Sequence, residues 1–211
     1  MKTASKSLLL TAIVLPGFAM AGSSTIRPSA NNTPIYLGMG LGVQSLKAEN
    51  RFENGGQDDF GSHGLLAGLY AGYNHHFARR FNLGGEVFFN LANTSASSYG
   101  SYDPSLHFKN RYEYGLRLLP GYQLTQNTFF HLILGVENAS FKSSTGGYNK
   151  TYTKTAPVIG IGSTTGFTQH LALRGDISYA SFPRESYTLN GTSFKTRSSM
   201  VEAMLSLVYR F

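Results

Sequence analysis

Few residues in this chain combine the type and spacing that catalysis or ligand binding needs. His75 and His76 offer two adjacent imidazoles for a metal. Neighbours on a strand point to opposite faces and cannot share one ion, and with Arg79 and Arg80 close by the segment reads as a basic turn. The run "GMGLG" (Gly38 to Gly42) has glycines at the spacing of a phosphate cradle. That chemistry requires a strand-to-helix turn, whereas these glycines alternate with Met39 and Leu41 and read as space-saving positions in a strand. His107 with Ser105 is the nearest approach to a histidine-activated nucleophile. A metal, a cofactor and a catalytic group are therefore not expected. What remains is a set of charges, Glu86, Glu113, Glu137, Asp176 and Glu202 against Arg111, Arg117, Arg174 and Arg210, and their meaning depends on the elements that carry them.

The start of the chain, "MKTASKSLLLTAIVLPGFAMAGSS", has Lys2 and Lys6, an apolar stretch from Leu8 to Met20, and small residues around Ala21. This is the pattern of a secretory signal peptide over 1–21, and Pro16 and Gly17 break it as a membrane helix. Residues 22–33 are expected to form a short periplasmic N-terminal segment, leaving one domain over 34–211. Cysteine and tryptophan are absent, while the chain has 13 Tyr, 15 Phe and 24 Gly. Stability must come from something other than disulfides. The net charge of +7, or +5 once Lys2 and Lys6 are removed, is too small and scattered to argue for nucleic acid.

Residues 34–211 read as strands throughout, at 34–46, 63–74, 81–92, 108–124, 128–141, 153–167, 171–182 and 198–211. Short links ("HHFARR", "TQN", "TQH") alternate with long polar ones such as "KAENRFENGGQDDFGS", "KSSTGGYNKTY" and "PRESYTLNGTSFKTR". An antiparallel up-and-down sheet with one plain and one elaborate end gives this rhythm. Within strands the alternation is regular. Ile35, Leu37, Met39, Leu41 and Val43 share one face, and Tyr36, Gly38, Gly40, Gly42 and Gln44 the other. The charged residues fall on the face that carries the glycines. Eight strands enclose room only for side chains, so the compact, glycine-and-charge face belongs inside. The broad apolar face must then point out, into lipid. Strands of about 9–11 residues suffice to cross, and closure satisfies the backbone without water. The expected fold is an all-β, eight-stranded transmembrane barrel with long extracellular loops and short periplasmic turns.

Inside such a barrel the charges form either a polar channel or an ion-paired plug. The narrow lumen favours the plug, because a buried charge must be paired. The expected network comprises Glu86, Glu113, Arg117, Glu137, Arg174, Asp176 and Glu202, with Glu86 paired to Arg117 and Glu113 within reach of the same arginine. The third and fourth long connectors are basic, with Lys142, Lys150, Lys154, Arg184, Lys195 and Arg197. They suit either an anionic partner or a solvated rim.

The segments "GLYAGYNHHFARRFNLGGEVFFN" and "LALRGDISYASF", with the alternating C-terminal "MLSLVYRF", carry a resemblance to the small outer-membrane barrels of Gram-negative bacteria, the OmpA-like and opacity-protein superfamily. The resemblance covers 34–211. It implies residence in the bacterial outer membrane, in contact with its lipid and lipopolysaccharide. It also implies that Leu207, Tyr209 and Phe211 are read by the barrel-assembly machinery. The function it implies is a non-enzymatic surface protein whose loops contact lipopolysaccharide, a host surface or matrix. The alternatives are a small pore or a lipid A-modifying enzyme. The His-x-Ser element of the eight-stranded lipid A deacylases does not occur in the sequence.

Overall fold

The computed structural model describes residues 34–52, 57–77, 80–97, 107–145, 148–183, 185–189 and 192–211. The expected signal peptide and the segment after it lie outside these residues. Every element among them is a strand: β1 (Ile35–Phe52), β2 (Gln57–His76), β3 (Phe81–Ser97), β4 (His107–Gln123), β5 (Thr128–Thr145), β6 (Tyr148–Gly166), β7 (Leu171–Ser181), β8 (Glu185–Leu189) and β9 (Thr192–Arg210). Sequential strands pair antiparallel from β1 to β7, β7 pairs with β9, and β9 closes on β1. The sheet is a barrel of eight staves. The short β8 pairs only with the outer part of β9, from Glu185 opposite Thr196 to Leu189 opposite Thr192. It thus takes over the edge that β7 leaves at Ser181 opposite Ser199. Pro183 lies in the interruption, where a residue without an N–H cannot continue a ladder.

Alternation sets the two faces. In β1, Leu37, Met39 and Leu41 are exposed while Tyr36 and Gln44 are buried; in β7, Ala172, Arg174, Asp176 and Ser178 are buried between exposed or half-exposed Leu171, Leu173, Ile177 and Tyr179. The outward set forms a continuous apolar belt, with Leu41 at 72% and Leu65 at 68% exposure. Tyr73, Phe77, Phe81, Phe167, Tyr209 and Phe211 border it at the short-turn end, and Phe89, Tyr114 and Tyr179 stand towards the other end. A belt of aliphatic residues between aromatic girdles is the surface a bilayer selects.

The long connectors differ from expectation. The segments 47–62, 142–152 and 183–197 are in large part paired strand, with Lys47 to Arg51 in register with Gly61 to Gln57 and Lys142 to Thr145 in register with Thr151 to Tyr148. The strands β1 and β2 are 18 and 20 residues long, about twice the 9–11 that cross a membrane. Backbone pairing continues past the apolar belt because an antiparallel ladder extends wherever both partners remain in register.

The seam reaches the C-terminal residues. The Arg210 N–H donates to the His170 carbonyl at 2.7 Å and the Phe211 N–H to the Ile35 carbonyl at 3.3 Å. The Phe211 ring packs edge-on against Tyr209 with centroids 5.1 Å apart. Phe211→Ser removes that contact and its lipid-facing surface. It is expected to lower the amount of folded barrel in the membrane, read as the fast-migrating band of unboiled samples on gels. Undiminished folded protein at native expression would show that the residue has no such role.

Candidate functional site

The barrel interior holds the chain's concentration of buried polar groups, and glycines open the space for them. Tyr36 stands opposite Gly72 and Gly38 opposite Tyr70 on the paired strands β1 and β2. A side chain at Gly38 would overlap the Tyr70 ring, and one at Gly72 the Tyr36 ring. The two tyrosines meet edge-on, 6.3 Å between centroids, in the half of the barrel nearer the short turns.

An ionic layer is built on that floor. Arg174 bonds Glu86 at 2.5 Å and Asp176 at 2.7 Å. Its guanidinium carbon lies 4.9 Å from the centre of the Tyr70 ring. The Tyr36 hydroxyl donates to Glu86 at 3.2 Å. His131 Nε2 is 2.9 Å from Asp176 Oδ1. Gly162 lies in register with both His131 and Asp176, and a Cβ there would collide with both side chains. One missing side chain thus allows the histidine–aspartate contact. The fork of Arg174 binds two carboxylates at once, which lysine's single ammonium would not do as well.

A second layer lies further from the short turns. Arg117 stacks on Phe88, 3.7 Å from the ring centre, and points Nη2 at Glu202 Oε2, 3.7 Å away. Glu113 accepts hydrogen bonds from the side-chain amides of Gln44, of Asn110 at 2.5 Å and of Asn90 at 3.5 Å. Gln44 also donates to Glu202 at 3.0 Å and accepts from Thr94 at 2.7 Å. Glu137 is fully buried beside these groups. The two layers place buried side chains across the lumen.

Several expectations about individual residues are corrected. Glu86 and Arg117 are cross-strand neighbours on β3 and β4, yet each bonds elsewhere, Glu86 to Arg174 and Arg117 towards Glu202. Backbone opposition does not fix a long side chain's partner, and Phe88 holds the Arg117 head on its own ring. Glu113 is bonded by amides instead of that arginine. Arg111 is exposed, not interior, because the ladder slips between Asn110 and Tyr112 and reverses the alternation at that point. Lys154, expected on a loop, is an inward residue of β6 with 7% exposure. Lys142 is on β5, Lys150 on β6, and Lys195 and Arg197 on β9; Arg184 lies outside the described residues. Sequence reading missed Asn90, Asn110 and His131 as interior groups, whereas Gln44 is buried on the face that alternation gave it. For Gln44 the parity of β1 carried the signal, since it shares the face of Gly38, Gly40 and Gly42.

Pairing energetics distinguish Arg174 from Arg117. Removing one partner of a buried ion pair typically costs about 3–5 kcal/mol. In denaturant unfolding of the barrel in micelles, a cycle of Glu86→Gln and Arg174→Met is expected to show a coupling above about 1 kcal/mol, and the cycle with Arg117→Met a smaller one. Equal couplings would contradict the assignment of partners.

Ail of Yersinia pestis, the attachment invasion locus protein, is 16% identical with a TM-score of 0.42, covering 82% of this chain and 98% of that one. Neisserial surface protein A is 16% identical with a TM-score of 0.49, covering 85% and 98%. OprG of Pseudomonas aeruginosa is 12% identical with a TM-score of 0.49, covering 85% and 97%. No curated protein matches in sequence. The profile of the outer membrane protein beta-barrel domain matches residues 10–211. With its closed antiparallel ladder and apolar outer belt, the chain belongs to that family of outer-membrane barrels.

Proposed function

We propose that the protein is a non-enzymatic surface barrel that engages the phosphate groups of lipopolysaccharide. One observation carries the reading. Lys109 on β4 stands directly opposite Lys142 on β5. Lys109 and Arg111 are exposed and Lys142 is half-exposed. Directly opposed like charges destabilise a sheet, so an anion between them supplies what the pair lacks.

The position fits that anion. Phe89, Tyr112 and Tyr114 stack in sequence with centroids 6.1 and 6.4 Å apart. They stand on the outer wall, just on the membrane side of Lys109 and Arg111. Aromatic rings mark the membrane–water boundary, so the basic group sits at the level of the lipid headgroups. In the outer leaflet, lipopolysaccharide phosphates occupy that level.

The filled lumen supports a closed barrel over a pore. His131 lies inside the barrel near the short turns with its Nε2 on Asp176, a carboxylate already held by Arg174, and Ser105, the nucleophile candidate beside His107, lies outside the described residues.

Two measurements test this. Purified barrel is expected to bind lipopolysaccharide more tightly than its dephosphorylated form, with affinity falling as salt rises. Combined Lys109→Glu, Arg111→Glu and Lys142→Glu is expected to weaken binding by about tenfold or more, the loss of one charge-assisted contact being worth about 1.5–3 kcal/mol. Equal affinity for the dephosphorylated form would overturn the assignment. In planar bilayers no steady conductance is expected, and a stable single-channel current would revive the pore.

A further inference from the structure

The upper ionic layer contains a problem that its own residues do not solve. Glu113 on β4, Glu137 on β5 and Glu202 on β9 each bring a carboxylate oxygen to one place, all within 4.8 Å of one another. All three side chains are buried, at 0%, 0% and 4% exposure. Neither oxygen of Glu137 has a hydrogen-bond partner. Asn110, also at 0% exposure, directs its amide at Glu113 while its Oδ1 has no partner. A buried acceptor with nothing to accept is costly, and a buried carboxylate more so.

The nearest cation does not relieve this. Arg117 Nη2 stops 3.7 Å from Glu202, beyond hydrogen-bond distance, and remains without a hydrogen-bond partner. Its guanidinium is held on Phe88 instead. Among the buried residues of the described interior, five carboxylates (Glu86, Glu113, Glu137, Asp176, Glu202) outnumber the three guanidinium and ammonium groups (Arg117, Lys154, Arg174).

We propose that Glu113, Glu137 and Glu202 bind one calcium ion inside the barrel. Calcium takes six to eight oxygen ligands at about 2.3–2.6 Å in irregular geometry, so oxygens on opposite sides of it lie about 5 Å apart. The carboxylate cluster matches that span. Both oxygens of Glu137 are available to ligate, and a flip of the Asn110 amide, whose nitrogen now faces Glu113, would offer a neutral carbonyl oxygen of the kind calcium accepts. Rotation of the Gln44 amide, now donating to Glu113 and Glu202, would turn its oxygen towards the ion. Magnesium suits the place less well, because it retains several waters in a strict octahedron. The ion's double charge cancels the interior excess. Because the three ligands come from β4, β5 and β9, it would tie the adjacent pair β4 and β5 to β9, with which neither is paired.

The test uses the purified, refolded barrel in zwitterionic detergent, with folding verified by heat-modifiable migration. Equilibrium dialysis against radioactive calcium at neutral pH is expected to give one calcium per barrel at a free concentration of about 1 mM or below, the range of extracellular sites. Chelation with EDTA is expected to lower the thermal unfolding midpoint of the wild-type barrel. Glu137→Gln keeps the shape and removes one repelling charge. It is expected to remain folded, to lose the bound calcium and to lose the response to EDTA. Glu202→Gln serves as a second variant should the first fail to fold. A wild-type barrel that binds no calcium under these conditions would overturn the proposal and show that protons neutralise the cluster. Undiminished calcium binding in Glu137→Gln or Glu202→Gln would place the ion elsewhere and overturn it equally.

Discussion

Closure of the ladder between β1 and β9 is the constraint on which the rest of this molecule depends. In hydrocarbon no water can satisfy an open strand edge, and each unpaired N–H or carbonyl would cost several kcal/mol. Pairing from Tyr36 opposite Arg210 to Phe52 opposite Phe194 removes both edges along their whole length. Once the edges are gone, the outer surface need offer lipid nothing but apolar side chains, and β-alternation delivers them. The same alternation forces every other residue into a lumen whose width eight strands have already fixed.

That lumen explains the composition. Its residues must be small, or polar with a partner, and the chain supplies both together. Gly38 and Gly72 leave room for the rings of Tyr70 and Tyr36, and Gly162 for the contact of His131 with Asp176. Arg174 then serves two carboxylates through its two ends. The second layer is less complete, because Arg117 rests on Phe88 and amides take over the solvation of Glu113. The side chains at these positions are buried, so an imbalance of charge there must be met within the interior.

The barrel was legible in the sequence because its signal is periodic. Ile35 to Val43 and Leu171 to Tyr179 state their faces without help from any neighbour. What escaped depends on relations between strands. The slip between Asn110 and Tyr112 turns Arg111 outwards, and nothing in the order of residues on β4 alone announces it. The partner of Glu86 was misread because cross-strand opposition with Arg117 is real for the backbone, while the side chain reaches Arg174 across the lumen. The outer connectors looked like loops because they are polar. Once beyond the lipid, however, a strand has no reason to be apolar, and pairing is all that defines it. Lys154 illustrates this, being a charged residue in a polar stretch that nonetheless points inwards.

The interlocking of Tyr36 with Gly72 and Tyr70 with Gly38 has a kinetic side. These contacts join residues on adjacent strands of one hairpin, so they can form early and at modest entropic cost. The seam between β1 and β9 joins the most distant parts of the barrel and is the slowest to find. A hairpin whose register is already locked presents β1 as a finished template. The arriving β9 has then only to match one fixed edge instead of sampling slipped alternatives, of which a slip by one residue would exchange its lipid-facing and lumen-facing residues. The two ring-and-gap pairs therefore fix the edge that β9 meets, and Tyr36 and Tyr70 pack against Val208 once it has arrived.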